Sequence, residues 1–385
     1  MRILHVVPSY LPATRYGGPI YSVHGLCRAL AGLGHEVHVV TTNVDGSGDS
    51  VVPLGDAITL DGVKVWYFHS RVLRRIYYSP EMMRHLKKQM PSFDLVHLHS
   101  VFLWPTWATA RVARSAGVPY VLSPRGMLVK ALIQRKSRWI KTAWIRLIEA
   151  RNIEKAAAVH VTSGKEAEEL RGFGFRLPEV WNLPNGVDLP QSWSRADVSE
   201  DVQKAIGQGG YVLFLGRINW KKGLDRLIRA WREVKGTRLL IAGNDEEGYL
   251  PELQRHVEEC GVGLAVTFLA RSVSGADKEA LFAGARFFVL PSYSENFGNT
   301  VLEALIRGIP VVATEEVGAG EVVRQCGGGL VIPADKLAQT FSDLVLDLSG
   351  LESMGKQGAA WVKAHYTWPE IASTMAEHYR RVVHA

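Results

Sequence analysis

The chain has 385 residues, more than one ordinary core holds; with 47% hydrophobic and 22% charged residues it excludes a disordered polypeptide and sets two domains as the expectation. The formal net charge of +7 is compatible with anionic substrates, a membrane surface or nucleic acid, and decides among none of them. Three scattered cysteines, Cys27, Cys260 and Cys326, show no paired spacing, which speaks against disulfides and a zinc site and fits a reducing cytoplasm.

The opening run MRILHVVPS reads as one short strand ended by a proline, too short for a signal peptide, and no stretch approaches the ~20 apolar residues of a membrane span. A glycine-containing loop (9–19), a helix (20–34) and the strand HEVHVVTT follow, then a polar, turn-rich stretch over 43–62. VKVWYFH predicts a strand, and the basic segment from Arg71 to Lys88 is helical in part. DLVHLHS, PYVLSPRG, AVHVTS and EVWNLPNGVD are further strands, separated by helices over 106–117, roughly 131–156 and 164–174. Residues 189–208 read as a polar linker. The alternation then restarts with YVLFLGR, TRLLIAG, AVTFLA, RFFVLPS, IPVVAT and GGGLVIPA as strands, with helices between them and at the end. Strand–helix alternation of this kind gives parallel sheets covered on both faces, so the expected fold is α/β: two doubly wound, Rossmann-like domains in tandem facing a central cleft, with ligands at the carboxyl ends of the strands.

The stretch Val289–Ala313 is the centre of the second half: a strand, the loop SYSENFG, the helical spacing NTVLEALIRG stopped by Gly308 and Pro310, and a second strand. A loop that leaves a strand and enters a helix presents free N–H groups to an anion. Two carboxylates, Glu295 and Glu303, flank it; if the helix starts near Gly298, Glu303 lies ~7.5 Å along the axis. That spacing alone does not exclude a glycosidase pair, whose carboxyls sit ~5–9 Å apart. Earlier, Gly216 and Gly223 bracket a turn that sets Arg217 after a strand and Lys222 before a helix. Two cations in that setting suit a diphosphate, Arg as a fork and Lys as a point charge. The segment is no Walker A motif, and no Gly-x-Gly-x-x-Gly follows the first strand. Cations plus carboxylates point to a ligand with a diphosphate in its middle, such as a nucleotide sugar: Glu295 on sugar hydroxyls, Glu303 on the ribose.

From Glu295 to Glu303, with Ala304, Gly308, Pro310 and Val311 behind them, the chain strongly resembles the Glu-x7-Glu motif of glycosyltransferase family 4. Gly216-Arg217 with Lys222-Gly223 is similar to that family's diphosphate segment. Gly17-Gly18, Gly34-His35-Glu36-Val37, Pro184-Asn185-Gly186-Val187-Asp188 and Tyr366-Thr367-Trp368 also match, in order along the chain. The resemblance implies a metal-independent, retaining hexosyltransferase of GT-B fold, with no cofactor. It implies an acceptor-side domain over 1–188, a donor-binding domain over 189–367, and a last helix, about 368–385, crossing back onto the first. The donor-binding set it implies is Gly17, Gly18, Arg125, Gly216, Arg217, Lys222, Asn244, Arg271, Glu295, Asn296, Phe297, Gly298, Asn299, Thr300 and Glu303. Catalytic roles fall to Glu295, His99, Arg217 and Lys222. UDP-glucose or a related hexose donor is favoured and GDP-mannose comes next. The acceptor is a polysaccharide or lipid-linked glycan, nucleic acid is no partner, and the location is cytoplasmic. A nucleotide-sugar epimerase or hydrolase of the same fold is the alternative.

His97 and His99 alternate on one strand and share a face, with His99 nearer its carboxyl end. On the next strand Arg125 stands where many similar enzymes have His-Gly; it stays protonated, so it cannot be a base, and it suits an anionic acceptor or a phosphate. The basic stretch Lys130–Lys155 interleaves Arg135, Lys136, Arg138, Lys141 and Arg146 with Trp139, Ile140, Trp144 and Ile145. With Phe102, Trp104 and Trp107 in a nearby loop it would meet the inner membrane face peripherally. The other reading has the tryptophans packed on the sheet and the charges in water.

Overall fold

The computed structural model describes residues 1–13, 17–130, 133, 138–208, 210–245 and 247–384, the side chains of 138–140 excepted. The chain forms two compact units: Met1–Gly186 with the C-terminal stretch from Trp368, and Val187–Thr367.

Unit 1 contains strands β1 (Arg2–Ser9), β2 (Glu36–Thr42), β3 (Ala57–Leu60), β4 (Val63–Phe68), β5 (Leu95–His99), β6 (Tyr120–Ser123), β7 (Ala158–Val161) and β8 (Glu179–Asn182). Among the described residues they form one sheet in the order β8-β7-β6-β5-β1-β2-β4-β3. The pairings are parallel except at the β3 edge, which runs antiparallel to β4. The central strands are near-continuous apolar runs because helices cover both faces; Ile3, Leu4, Leu95, Val96, Val121 and Leu122 are fully buried. β3 lies inside the stretch read as turns. Its residues alternate exposed and half-buried, so its edge pairing rests on backbone bonds and leaves little hydrophobic signal.

The helix Trp368–Val383 packs against the helix Gly18–Gly32 within this unit. A Cβ on Gly25 would come within 2.2 Å of the Trp368 indole, and one on Gly186 within 2.6 Å, so two glycines make the slot for that ring. Gly25→Leu should therefore lower the Tm of the full chain by about 2–10 °C through overpacking, read by scanning calorimetry. An unchanged Tm would mean the ring does not occupy the slot.

The basic helix is described from Arg138: Arg138–Trp144, a π turn Ile145–Glu149, then Ala150–Glu154. Arg135 and Lys136 lie outside the described residues, as do the side chains of Arg138, Trp139 and Ile140. Trp104 and Trp107 belong to the helix Trp104–Ala116, not to a loop, and Trp104 is buried edge-on against Tyr78. The Trp144 indole N–H donates to the buried carboxylate of Glu149 at 2.8 Å, and Ile145 is buried. Trp104 and Ile145 thus pack in the interior, while Phe102, Trp107 and Trp144 are half-buried. No described helix is long and apolar enough to cross a membrane.

Unit 2 contains β9 (Tyr211–Leu215), β10 (Arg238–Ala242), β11 (Val266–Leu269), β12 (Ala285–Leu290), β13 (Val311–Thr314) and β14 (Gly329–Ile332). All pairings are parallel, in the order β11-β10-β9-β12-β13-β14. The expected linker is in part ordered structure of this unit: Glu200–Ile206 is a helix, and Val198 and Val202 enter the core. Its few inward apolar residues are outnumbered by polar ones, which is why it reads as linker. The helix after the Glu295 loop is also shorter than its apolar spacing implies; it spans Asn299–Leu305, and Ile306–Gly308 is a turn.

In each sheet the chain order reverses at one place, between β1 and β5 in unit 1 and between β9 and β12 in unit 2. Open α/β sheets bind ligands at the carboxyl ends of the strands beside such a point. Gly17 and His99 lie at these ends in unit 1, Arg217 and Glu295 in unit 2.

Candidate active site

In unit 2 the turn after β9 and the loop after β12 are locked together. Gly223 has a φ of 64°, and a Cβ there would fall 2.0 Å from the carbonyl oxygen of Pro291, so only glycine lets these backbones touch. The Tyr293 N–H donates to the Lys221 carbonyl at 2.8 Å. Across this junction the Lys222 ammonium forms an ion pair with the Glu295 carboxylate, their side chains 14% and 19% exposed. The two residues read from separate motifs thus meet directly.

The loop is fixed from its other side as well. The Glu295 N–H donates to the Glu316 carbonyl at 3.2 Å, the Gly318 N–H to the Glu295 carbonyl at 3.1 Å, and the Ala319 N–H to the Phe297 carbonyl at 2.7 Å. Gly298, at φ 95°, turns the chain into the helix, and Phe297 is buried beneath it, leaving only its backbone for a ligand. Asn296, Asn299 and Thr300 are half-buried on the same loop and first turn. Underneath runs Arg226, which the motifs do not mark. Its guanidinium donates to the carbonyls of Pro291 at 2.7 Å and Ser292 at 2.6 Å and to the Thr314 hydroxyl at 3.1 Å, and it stacks on Tyr293 at 4.4 Å. Arg226 ties the loops after β12 and β13 to the helix after Gly223; its only sequence signal is a cation on the half-buried face of a short helix.

The remaining donor-side residues separate. Gly216 abuts Gly243, whose added Cβ would lie 1.8 Å from the Gly216 carbonyl oxygen, and the Asn244 carbonyl accepts from the Ile218 N–H at 2.9 Å; Gly216, Arg217 and Asn244 are therefore neighbours. Glu303 pairs with Lys278 at 3.4 Å. Arg271 lies in an ion network with Asp201 at 2.6 Å and Asp277 at 2.8 Å, bonded also to the Ser199 hydroxyl at 2.6 Å. Those carboxylates raise its pKa, and they commit its donors to holding Glu200–Ile206 in the unit.

In unit 1, Gly17 caps the helix Gly18–Gly32 with a φ of 64°, and Gly18 opens it. Beside them the ends of β1, β5, β6 and β7 carry a buried imidazole array whose proton positions follow from its fixed acceptors. The Leu183 carbonyl can only accept, so His160 donates to it through Nε2–H at 2.8 Å. His160 Nδ1 then accepts from the Ser123 hydroxyl at 2.8 Å, Ser123 accepts from His97 Nε2–H at 2.7 Å, and His97 Nδ1 accepts from the Tyr379 hydroxyl at 2.5 Å. In the same way Arg125 donates to His99 Nδ1 at 3.2 Å, leaving His99 Nε2–H to donate to His5 Nδ1 at 3.0 Å. All four histidines are neutral. Burial, aided by the nearby Arg125 charge, drops His5 and His160 to about 3, and burial holds His97 and His99 well below the usual imidazole value.

His99, to which the resemblance gives a catalytic role, is thus interior, 1% exposed, with both ring nitrogens engaged. The array was missed in the sequence because its members come from four strands and the last helix; only the alternation of His97 and His99 hinted at it. Among the described residues, His5, His97 and His99 also form the one group whose ligand atoms lie close enough, within 4.8 Å, to hold a metal ion. Both ring nitrogens of His97 and of His99 are taken by hydrogen bonds, and Arg125 adds positive charge, so the set suits a hydrogen-bonded core better than a cation.

Two α/β units, each a parallel sheet with the candidate residues on loops at its strand-order reversal, have the architecture of GT-B glycosyltransferases. Residues 17–186 match the glycosyl transferase 4-like domain and residues 209–349 the domain of glycosyl transferases group 1; the chain belongs to this family of GT-B glycosyltransferases. It is 27% identical over 403 residues to the D-inositol 3-phosphate glycosyltransferase of Paenarthrobacter aurescens, covering 99% of this chain and 97% of that one. It is 32% identical over 216 residues to the GDP-mannose-dependent alpha-(1-6)-phosphatidylinositol monomannoside mannosyltransferase of Mycobacterium tuberculosis, over 51% of this chain and 55% of the other. Among solved structures, Anabaena HepE in complex with UDP-glucose superposes with a TM-score of 0.76 at 19% identity, covering 99% of this chain and 100% of that one, a likeness of fold.

Proposed function

We propose that the protein is a retaining, metal-independent hexosyltransferase that takes its sugar from a nucleoside diphosphate donor bound on unit 2. The observation that carries this is the Lys222–Glu295 pair at the strand-order reversal, beside Arg217. In the free protein each charge neutralises the other. On donor binding Lys222 turns to the diphosphate, with Arg217, and Glu295 is released to the sugar hydroxyls. The two cations stabilise the negative charge that develops as the sugar–phosphate bond breaks, a role a metal ion fills in other transferases. Glu303, beside Lys278, is assigned to the ribose. Front-side transfer balances without a protein base: the anomeric C–O bond to phosphate breaks, the bond to the acceptor oxygen forms on the same face, and the leaving phosphate takes the acceptor proton. UDP-glucose remains the favoured donor, the nucleotide sugar in the HepE complex, and GDP-mannose the alternative, named for the mycobacterial relative. The acceptor is a glycan or lipid-linked glycan, recognised by unit 1.

Thermal-shift titration with UDP, GDP and their sugars tests the reading, since a ligand that binds the native state raises apparent stability. One base should raise the Tm, and Lys222→Ala should weaken that nucleotide by roughly 10- to 100-fold, the loss of a charge-assisted contact. Binding to neither base, or an unaltered affinity in Lys222→Ala, would contradict it.

A further inference from the structure

Arg125 is a cation held entirely by neutral groups. It follows β6, at the carboxyl edge of the unit 1 sheet. Its backbone sits in the left-handed region, φ 56°, and Gly126 follows at φ 69°. A non-glycine residue there is strained, and such strain persists only where the surroundings impose it. Here the Gly126 N–H is pinned to Glu166 Oε1 at 2.7 Å, while Glu166 Oε2 accepts from the Thr162 N–H at 2.8 Å and its hydroxyl at 3.1 Å. Both oxygens of that carboxylate are therefore used on backbone and hydroxyl groups. The guanidinium itself donates through Nε and Nη2 to His99 Nδ1, at 3.4 and 3.2 Å, and through Nη1 to the buried Asn185 Oδ1 at 3.0 Å. No described carboxylate pairs with it. Two of its five N–H groups remain beyond those three bonds.

A half-buried charge without a counter-ion is costly, and a strained backbone adds to the cost. The Glu166 carboxylate favours the charge from a distance but forms no ion pair with it. The neutral imidazole array explains how the charge is tolerated: it supplies acceptors and no competing anion. We infer that Arg125, aimed by His99 and Asn185, is an oxyanion-binding residue of unit 1 that takes a phosphate of the enzyme's substrates. This rests on the glycosyltransferase reading for the identity of the phosphate's source, either a phosphorylated acceptor or the donor diphosphate, but not for the anion site itself.

The test uses the full chain, inorganic phosphate and myo-inositol 3-phosphate as probes for an acceptor phosphate, and UDP and GDP for the donor, each titrated calorimetrically. Arg125→Gly removes the guanidinium and relieves the left-handed strain but leaves His99 Nδ1 and Asn185 Oδ1 without their donor, so its Tm is measured alongside to separate loss of binding from unfolding. Phosphate and phosphomonoester affinity should fall roughly 10- to 100-fold in Arg125→Gly. If nucleotide affinity is untouched, the phosphate belongs to the acceptor; if it falls in parallel, it belongs to the donor. Either supports the site. Equal affinities for all probes in the wild type and Arg125→Gly, or a wild type that binds none of them, would overturn it. Failure of the nucleotides alone to bind would sink the donor reading while leaving the phosphate arm intact.

Discussion

Glu295→Gln is expected to lower turnover about 10²- to 10³-fold while leaving nucleoside diphosphate affinity unchanged or tighter. The two effects separate because Glu295 has different partners before and after binding. In the free protein it neutralises Lys222, so it competes with the incoming diphosphate; removing its charge releases the lysine and aids the nucleotide. In the proposed donor complex the carboxylate accepts from the sugar hydroxyls, and an amide would accept more weakly there. The loop itself should stand, because it is held by backbone bonds to 316–319 and by Arg226 rather than by the Glu295 side chain. Steady-state kinetics alongside calorimetric titration of the nucleotide read both quantities. Near-normal turnover would remove Glu295 from the sugar; a parallel loss of nucleotide affinity would mean the carboxylate supports the phosphate site structurally.

Unit 1 should be the acid-labile part of the chain. The buried histidines of the described residues all lie in it, and His5 and His160 are held at about 3. Their folded values lie below the unfolded value of about 6.5, so the unfolded chain binds more protons in between, and stability falls as pH drops through that window. Each contributes about 1.4 kcal/mol per pH unit, so together they remove about 4 kcal/mol by pH ~5, a large share of the 5–15 kcal/mol typical of a domain. His97 and His99 act in the same direction. The groups facing the array are Arg125, the Ser123 and Tyr379 hydroxyls and the Leu183 carbonyl, and none carries the negative charge that would welcome an added proton. Hydrogen exchange on the full chain, corrected for intrinsic pH dependence, should show β5 losing protection between about pH 7 and 5 while β9 keeps it. Equal loss in both, or none in β5, would be the contrary result.

These effects differ in how visible they are before folding. The Glu295–Glu303 segment and the Arg217–Lys222 turn are contiguous, with glycines where the backbone must turn, so local pattern is enough to read them. The last helix announces itself through Trp368, although its slot between Gly25 and Gly186 is a property of three distant segments. Arg226 carries no local pattern and the His5–His99–Arg125 arrangement only the alternation of His97 and His99, since their partners are carbonyls and ring nitrogens brought together by sheet order. β3 and Glu200–Ile206 were hidden for a simpler reason: both bury too few apolar residues to show a period. Arg271 shows the converse: a cation whose place in the chain is plain, while the carboxylates that answer its charge, Asp201 and Asp277, are visible only in the fold.

In the proposed mechanism one lysine–carboxylate pair in unit 2 opens to receive a nucleoside diphosphate sugar. A crystal structure of the protein grown with UDP or GDP tests it most directly. The diphosphate oxygens are expected within hydrogen-bonding distance of Lys222 and Arg217, with the Lys222–Glu295 pair broken. A nucleotide bound elsewhere, with that pair intact, would contradict it.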